Sequence, residues 1–358
     1  MKILDWYILK RFLLTYVFTV LMLEAVLIVI DVTEKIDDFN HPDLTAWRII
    51  TEYYINFIPY YANMLSPLII FISAVFVTSK MATHTEIVAM LSSGISLKRI
   101  LRPYLIGAVL IGILVFFLLN YINPIANRGR NNFEDNFVRA KYYFTEKNVH
   151  LKVAPQLYVY LESYDIVSRT GYKFTMEKVV NRNLVAKLDA PNVRWNPDKE
   201  RWTVPNYKIR YFEKAGERIE KGQMMDTLLR MRPQDFESQH RLHEKLTLPE
   251  LNAHIDLLRL RGADDVEIFL VEKYERMTYP FATLILTVIG VIVSARKTRE
   301  GQGFQIAMGF ILAFVYILLM VISRTFAYQG GIPSWLSAWI PNVVFCLIGL
   351  WMYRNVPK

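Results

Sequence analysis

The chain has 358 residues, 53% hydrophobic and 21% charged, with a formal net charge of +9 and a mean hydropathy of +0.21. That is too apolar for an ordinary soluble protein and too charged for membrane spans alone, so a membrane protein with a sizeable water-exposed part is expected. The lone cysteine, Cys346, excludes an internal disulfide and a cysteine metal cluster, and excess Lys and Arg in such a chain fits cytoplasmic loops and anionic lipid rather than nucleic acid.

Lys2, Lys10 and Arg11 precede an apolar run from Phe12 to Ile30, long enough to cross a bilayer as a helix. No small-residue cleavage site follows it, so it reads as a retained span. The next stretch is acidic, with Asp31, Glu34, Asp37, Asp38, Asp43 and Glu52 against Lys35 and Arg48. A second span is expected from about Phe57 to Val77, where Pro67 should kink or break the helix. A third runs from Ile100 to Ile122.

Between them lies Met81 to Ile100, a connector that reads as a short amphipathic helix. Thr83 and Glu86 have capping-box spacing. Ile87, Met90 and Leu91 fall on one helical face, continued by Ile95. Gly94 is placed to end the helix and Ser96 to start the next. Pattern alone leaves two readings open: a helix lying on the lipid surface, or a docking helix for a separate cytoplasmic protein.

From Asn123 to about Lys273 long apolar runs vanish. Leu157–Leu161, Tyr172–Met176 and Tyr207–Phe212 are short and rich in β-branched or aromatic residues. Arg169-Thr170-Gly171, Asn196-Pro197-Asp198 and Lys214-Ala215-Gly216 supply turn signals between such pieces. An all-β domain, sandwich or open barrel, is expected. Residues 247–261 return to helical spacing, with Thr247 as cap, Pro249 and Glu250 in the first turn and Gly262 as terminator. Three further spans follow, about Thr278 to Ser294, Phe304 to Thr325 and Pro333 to Tyr353.

The reading is therefore a polytopic α-helical membrane protein of six transmembrane helices with an inserted all-β domain. Its parts are residues 1–122 with a connector helix at about 83–95, residues 123–273, and residues 274–358. The amino terminus, the 78–102 loop, the 295–303 loop with Arg296, Lys297 and Arg299, and the end with Arg354 and Lys358 are basic. The positive-inside rule places these in the cytoplasm and the β domain on the far side.

No phosphate-binding G-x-x-x-x-G-K-[ST], H-E-x-x-H or G-x-S-x-G motif occurs. His240, His243 and Glu244 are close in sequence but lack the ligand count of a structural metal site, so neither metal nor cofactor is expected. Glu24 lies inside the first span, where a charge is costly, and should face other helices or a cavity. Arg324 is a conceivable partner, although Asp31 matches its depth better. Lys35, Arg128 and Arg130 fall at the outer surface, where basic residues do not serve the positive-inside rule. They either hold lipid phosphates or balance Asp31, Asp37 and Asp38.

Several stretches carry a resemblance. Leu4-Asp5-Trp6-Tyr7-Ile8-Leu9-Lys10, Ile30-Asp31-Val32-Thr33-Glu34-Lys35, Thr85 to Ser96, Asn123-Pro124 and Gly331-Ile332-Pro333 resemble the LptF/LptG permease family of lipopolysaccharide export, as does the layout of three spans, β domain and three spans. The resemblance implies a permease subunit that pairs with a paralogous permease as a heterodimer in the bacterial inner membrane. It implies a cytoplasmic ABC ATPase dimer as the energy source and a periplasmic jellyroll-like domain that passes lipopolysaccharide to a bridge of similar domains. By the same likeness Glu86, Ile87, Met90, Leu91 and Gly94 form the coupling helix that meets the ATPase, and Lys35, Arg128 and Arg130 lie near lipid phosphates. Two rival readings are a membrane-anchored assembly or sensor protein whose β domain binds a periplasmic partner, and an intramembrane enzyme using Glu24 or Asp31. The latter lacks a paired catalytic constellation.

Overall fold

The computed structural model describes residues 3–138, 147–213, 216–236, 241–261, 266–295 and 301–354. Lys2, Lys214, Ala215, His240, Gly262, Arg296, Lys297, Arg299 and Lys358, which carried expectations above, lie outside them. The chain divides into two compact units, residues 1–138, 243–251 and 267–358 in the first and residues 139–242 and 252–266 in the second.

The first unit is helical. α1 (Ile3–Glu34) is a single span. α2 (Ile55–Met64) and α3 (Ser66–Thr83) are separated at Leu65. Pro67 sits in the first turn of α3, where its missing N–H costs no helical bond, so it marks a break between two helices. A short helix, α4 (Glu86–Ser92), precedes α5 (Leu97–Phe117). After a π turn at Leu118–Ile122, α6 (Asn123–Phe137) continues the path. The run Leu97–Phe137 has 41 residues, roughly 60 Å at 1.5 Å per residue, about twice what the hydrocarbon needs. The polar sequence of α6 is what the excess length requires.

α7 (Leu248–Arg261) is followed by the last three long helices, α8 (Val266–Ser294), α9 (Gly301–Tyr328) and α10 (Ser334–Arg354). Six of the described helical stretches are long and apolar enough to cross a membrane. Their common core joins Phe12 and Tyr16 of α1, Phe71 and Val75 of α3, Tyr104 and Ala108 of α5, Leu286 and Ile289 of α8, Tyr316 of α9 and Phe345 of α10. Close approach depends on small residues at two places. A Cβ on Gly107 would meet the Phe12 ring at 2.7 Å, and one on Gly290 would lie 3.1 Å from Ala74 Cβ. Small residues at helix contacts are the usual route to tight packing where hydrocarbon surrounds the bundle.

The second unit holds one antiparallel sheet: β1 (Val149–Ala154), β2 (Leu157–Leu161), β3 (Ser163–Asp165), β4 (Thr170–Val180), β5 (Asn183–Asn196), β6 (Arg201–Glu213) and β7 (Gly216–Thr227). The strand order is β1-β2-β4-β5-β6-β7, with β3 also on β4. β2 and β3 are two parts of one path along β4, since Glu162 N–H between them bonds Tyr172 O at 3.0 Å. The sheet is thus an up-and-down antiparallel meander. At the β5–β6 turn the Asn196 side chain accepts from Asp198 N at 3.0 Å and Lys199 N at 3.3 Å, the local bond that makes Asn a turn former. Val159, Phe174, Leu188, Trp202 and Val204 form the sheet's core. Trp202 is fully buried, and its indole N–H finds Met231 O at 2.6 Å, as a buried Trp requires.

Thr247 and Glu250 form the expected cap at the start of α7. The Glu250 carboxylate accepts from Thr247 N at 2.9 Å and Thr247 Oγ1 at 2.7 Å. The Thr247 hydroxyl, its N–H and neighbouring Arg128 together hold this carboxyl below its ordinary 4.5. A depressed folded-state pKa stabilises above the unfolded value and loses that contribution as protonation sets in. Glu250→Gln should therefore unfold below the wild type at neutral pH, by about 1 kcal/mol or less for a partly exposed cap. Thermal unfolding followed from neutral pH downward should show the gap closing below pH 4.5. A gap constant with pH would mean the carboxylate's charge contributes nothing.

Candidate functional site

The α4 connector begins with a left-handed residue, Thr85 at φ 59°. The Thr83–Glu86 capping box does not form. Thr83 still belongs to α3, and its hydroxyl bonds Ser79 O at 2.9 Å. Glu86 instead turns to α1, accepting from Tyr7 Oη at 3.1 Å and Arg11 at 3.3 Å. Nearby, Arg99 at the head of α5 reaches Asp5 at 2.7 Å. The amino-terminal turns of α1 thus hold both α4 and α5.

The apolar stripe of α4 is split: Ile87 and Met90 face inward, and Leu91 does not share their face. Ile87 is 1% exposed and Met90 8%, and both join the helical core. The outward face carries Val88 at 48% and Leu91 at 36%, with Ala89 and Ser92 also exposed. Gly94 ends α4 as expected, at φ 85°. Its N–H bonds Leu91 O at 3.1 Å and Ile95 N–H bonds Met90 O at 3.0 Å, the paired bonds of a left-handed helix terminator.

The other end of α1 enters a polar cluster. Lys35 Nζ lies 2.8 Å from Asp31 and 3.4 Å from Glu134, and also bonds Tyr53 Oη. Tyr53 Oη is 3.1 Å from Asp31 and 3.3 Å from Glu134. Tyr54 Oη donates to the second Asp31 oxygen at 3.2 Å. Burial first, then the carboxylates of Asp31 and Glu134, push the Tyr53 hydroxyl well above its ordinary range, so it stays a donor. Arg130 is buried, with its guanidinium 4.0 Å from the Tyr60 ring centroid and 3.9 Å from Glu134. Two carboxylates and two cations balance here, and any phosphate reaching Lys35 must compete with Asp31 and Glu134.

Neither conceivable partner of Arg324 holds it. Its guanidinium forks onto Glu275 of α8, with Nε 2.9 Å from Oε1 and a second bond to Oε2. Asp31 is engaged by Lys35 and the two tyrosines, and Glu24 is buried with Oε2 unpartnered. Arg128 lies apart from the Lys35 cluster's ion pairs: it bonds Lys245 O at 2.7 Å and pairs with Glu250. Among the described residues no group of three metal-ligating side chains occurs, and His243 stands 4.0 Å from Glu244.

Several of these groups escaped the sequence reading: Tyr7 and Arg11 on Glu86, Tyr53 and Glu134 on Lys35, and Glu275 on Arg324. One had a signal. Glu272, Glu275 and Arg276 directly precede the apolar run of α8, and Glu272 and Arg276 have the spacing at which helical neighbours pair. That pair closes at 2.7 Å.

Six long apolar helices, an antiparallel sheet inserted between the third and fourth, and charges paired within the bundle define a multi-pass membrane protein with a β domain. The family described as Lipopolysaccharide export system permease LptF/LptG matches residues 6–355, and the chain belongs to it. Its role is accordingly that of a permease in lipopolysaccharide export, a transport subunit and not itself a catalyst. No curated protein sequence matches the chain at a significant level.

The Arg324–Glu275 pair yields a direct test. Glu275 is buried and Arg324 31% exposed, so removing the guanidinium leaves a buried carboxylate uncompensated at a cost of about 1–3 kcal/mol, whereas removing both is far milder. Arg324→Met should sharply lower the unfolding midpoint in detergent, and Arg324→Met with Glu275→Gln should recover most of the loss. Equal destabilisation by the single and double variants would show that the pair has no coupling energy.

Proposed function

We propose that this permease subunit lies in the bacterial inner membrane with both termini cytoplasmic, and pairs with a paralogous permease. In this reading a cytoplasmic ABC ATPase dimer docks on α4, and ATP-driven movement there extracts lipopolysaccharide from the membrane. The β domain, jellyroll-like in this role and periplasmic, passes the lipid to a bridge of similar domains. The observation that carries the reading is the family match across residues 6–355. The basic connectors favour the orientation through the positive-inside rule, and the absence of a phosphate-binding loop from the sequence fits an energy source on another chain.

The docking face follows from burial. Val88 and Leu91 are available to a partner, while Ile87 and Met90 hold α4 onto the bundle. Glu86 adds a carboxylate that is already shared with Tyr7 and Arg11. On the lipid side, Lys35 and Arg130 sit in one cluster, where a phosphate must displace Asp31 and Glu134. Arg128 takes part only by releasing Glu250, and Arg324 only by releasing Glu275. Glu24 faces the bundle as a polar group within the first span.

Copurification in mild detergent tests the docking. Val88→Asp or Leu91→Asp should release the ATPase and leave the permease's thermal stability within about 0.5 kcal/mol, as surface changes do. Ile87→Ala should do the reverse at first order: it empties a core position, costs about 2–5 kcal/mol of stability, and keeps the exposed face. Retention of the ATPase by both aspartate variants would overturn this face as the docking surface.

A further inference from the structure

Arg276 of α8 uses every nitrogen of its guanidinium. Its Nε donates to Glu272 at 2.7 Å, and its two terminal nitrogens donate to Leu246 O and His243 O at 2.8 Å each. The carbonyls between these two go to α6. Asn127 Nδ2 donates to Glu244 O at 3.2 Å, and Arg128 Nε donates to Lys245 O at 2.7 Å. The consecutive carbonyls of residues 243 to 246 are thus all captured by side chains of two helices. Arg276 and Asn127 are 3% and 2% exposed, so water is no ready substitute for the bonds they make.

Part of this is ordinary. The helical turn Leu242–Lys245 ends here and α7 begins at Leu248. The last carbonyls of a helix lack partners within it, and buried ones must find them elsewhere. Ordinary capping is local, however. Here the donors lie 117 residues away on α6 and 30 to 33 away on α8. They belong to the helical runs of the third and fourth spans, and neither run supplies all the bonds. The captured stretch also has a particular place in the chain. Residues 243–251 group with the helices, while the residues on either side, 139–242 and 252–266, belong to the second unit. A separation of α6 from α8 must release part of this stretch or drag it along. The bonds are charge-assisted, which makes them among the stronger ones. They also need the planar fork of arginine, since a lysine ammonium is a point charge without that geometry.

We propose that Arg276 is a positioning residue for lipid transfer. With Asn127 and Arg128 it holds residues 243–246 as a strap across the third and fourth spans, and the strap carries relative movement of those spans into the chain of the second unit. This role rests on the ATPase-driven transfer proposed above.

Hydrogen–deuterium exchange on the purified full chain tests the strap. Arg276→Gln is paired with Glu272→Gln so that no buried carboxylate is left alone. Peptides covering residues 243–251 should exchange at least about tenfold faster in this double variant, with α10 and the sheet unchanged. Glu272→Gln alone keeps both carbonyl bonds and should match the wild type. Transfer is then measured in proteoliposomes holding both permeases and the ATPase. The double variant should keep ATP hydrolysis within about twofold while lipopolysaccharide transfer falls about fivefold or more, the lower range of coupling between sites. Asn127→Leu, close in size, should move both readouts the same way and serves if the double variant does not fold. Unchanged transfer, or an equal fall in hydrolysis and transfer, would overturn the positioning role. A wild type that transfers no lipid would overturn the function proposed above and this role with it, whereas unchanged exchange would overturn the strap alone.

Discussion

Hydrocarbon offers no partner to a charge or an unpaired backbone group, and this constraint organises the chain. Ion pairs between helices join segments that apolar packing alone would leave free to slide. Arg324 with Glu275 ties α9 to α8, and Lys35 with Glu134 ties the end of α1 to α6. Such pairs add little net stability after desolvation. Their contribution is to make one register of the helices better than its neighbours, because a shift of one turn strands a charge.

The same constraint explains why the polar features concentrate where they do. α3 breaks from α2 at Leu65, just ahead of Pro67, and Asn63 and Ser66 beside the break are buried with polar atoms unpartnered. The long run from Leu97 to Phe137 changes from apolar to Asn-rich at Asn123. Its polar half meets the acidic and aromatic residues of the 31–61 stretch, with Phe39, Tyr53, Tyr54, Phe57 and Phe133 forming a separate small core. Aromatic rings suit that position because each carries an apolar body, and tyrosine adds a polar tip for the carboxylates.

Much of this architecture was legible in the sequence because an apolar run of bilayer length, repeated six times, has nowhere to be buried except in hydrocarbon. The strand pieces Leu157–Leu161 and Tyr207–Phe212 were legible for a similar reason, since β-branched and aromatic residues between turn formers fit a pleated surface. Periodicity found the stripe on α4 but not its direction. A stripe of Ile87 and Met90 looks the same whether it faces a partner or the chain's own bundle, and only the position of α1 and α5 decides. The ion pairs were illegible for a plainer reason. Glu86 lies 75 residues from Arg11, and Arg324 lies 49 from Glu275. No local pattern ties such residues together until the helices are packed. The depth argument that favoured Asp31 for Arg324 ignored which helices are neighbours.

Those pairings give α1 a role that its composition does not suggest. Its first turns meet α4 through Tyr7 and Arg11 on Glu86 and α5 through Asp5 on Arg99. Its last turn enters the cluster of Asp31, Lys35, Tyr53, Tyr54 and Glu134. Between these ends lie 32 helical residues, a rod of about 48 Å at 1.5 Å per residue. Much of its apolar surface is exposed, including Leu14, Phe18, Leu21, Val26 and Val29, so its middle is weakly held by its own bundle while both ends are bound. A helix transmits displacement along its axis because its backbone bonds cannot stretch appreciably. A movement of α4 that carries Glu86 with it therefore strains the Tyr7 and Arg11 contacts first, because Asp5 on Arg99 and the buried Ile8 and Phe12 tie the same turns of α1 to the bundle.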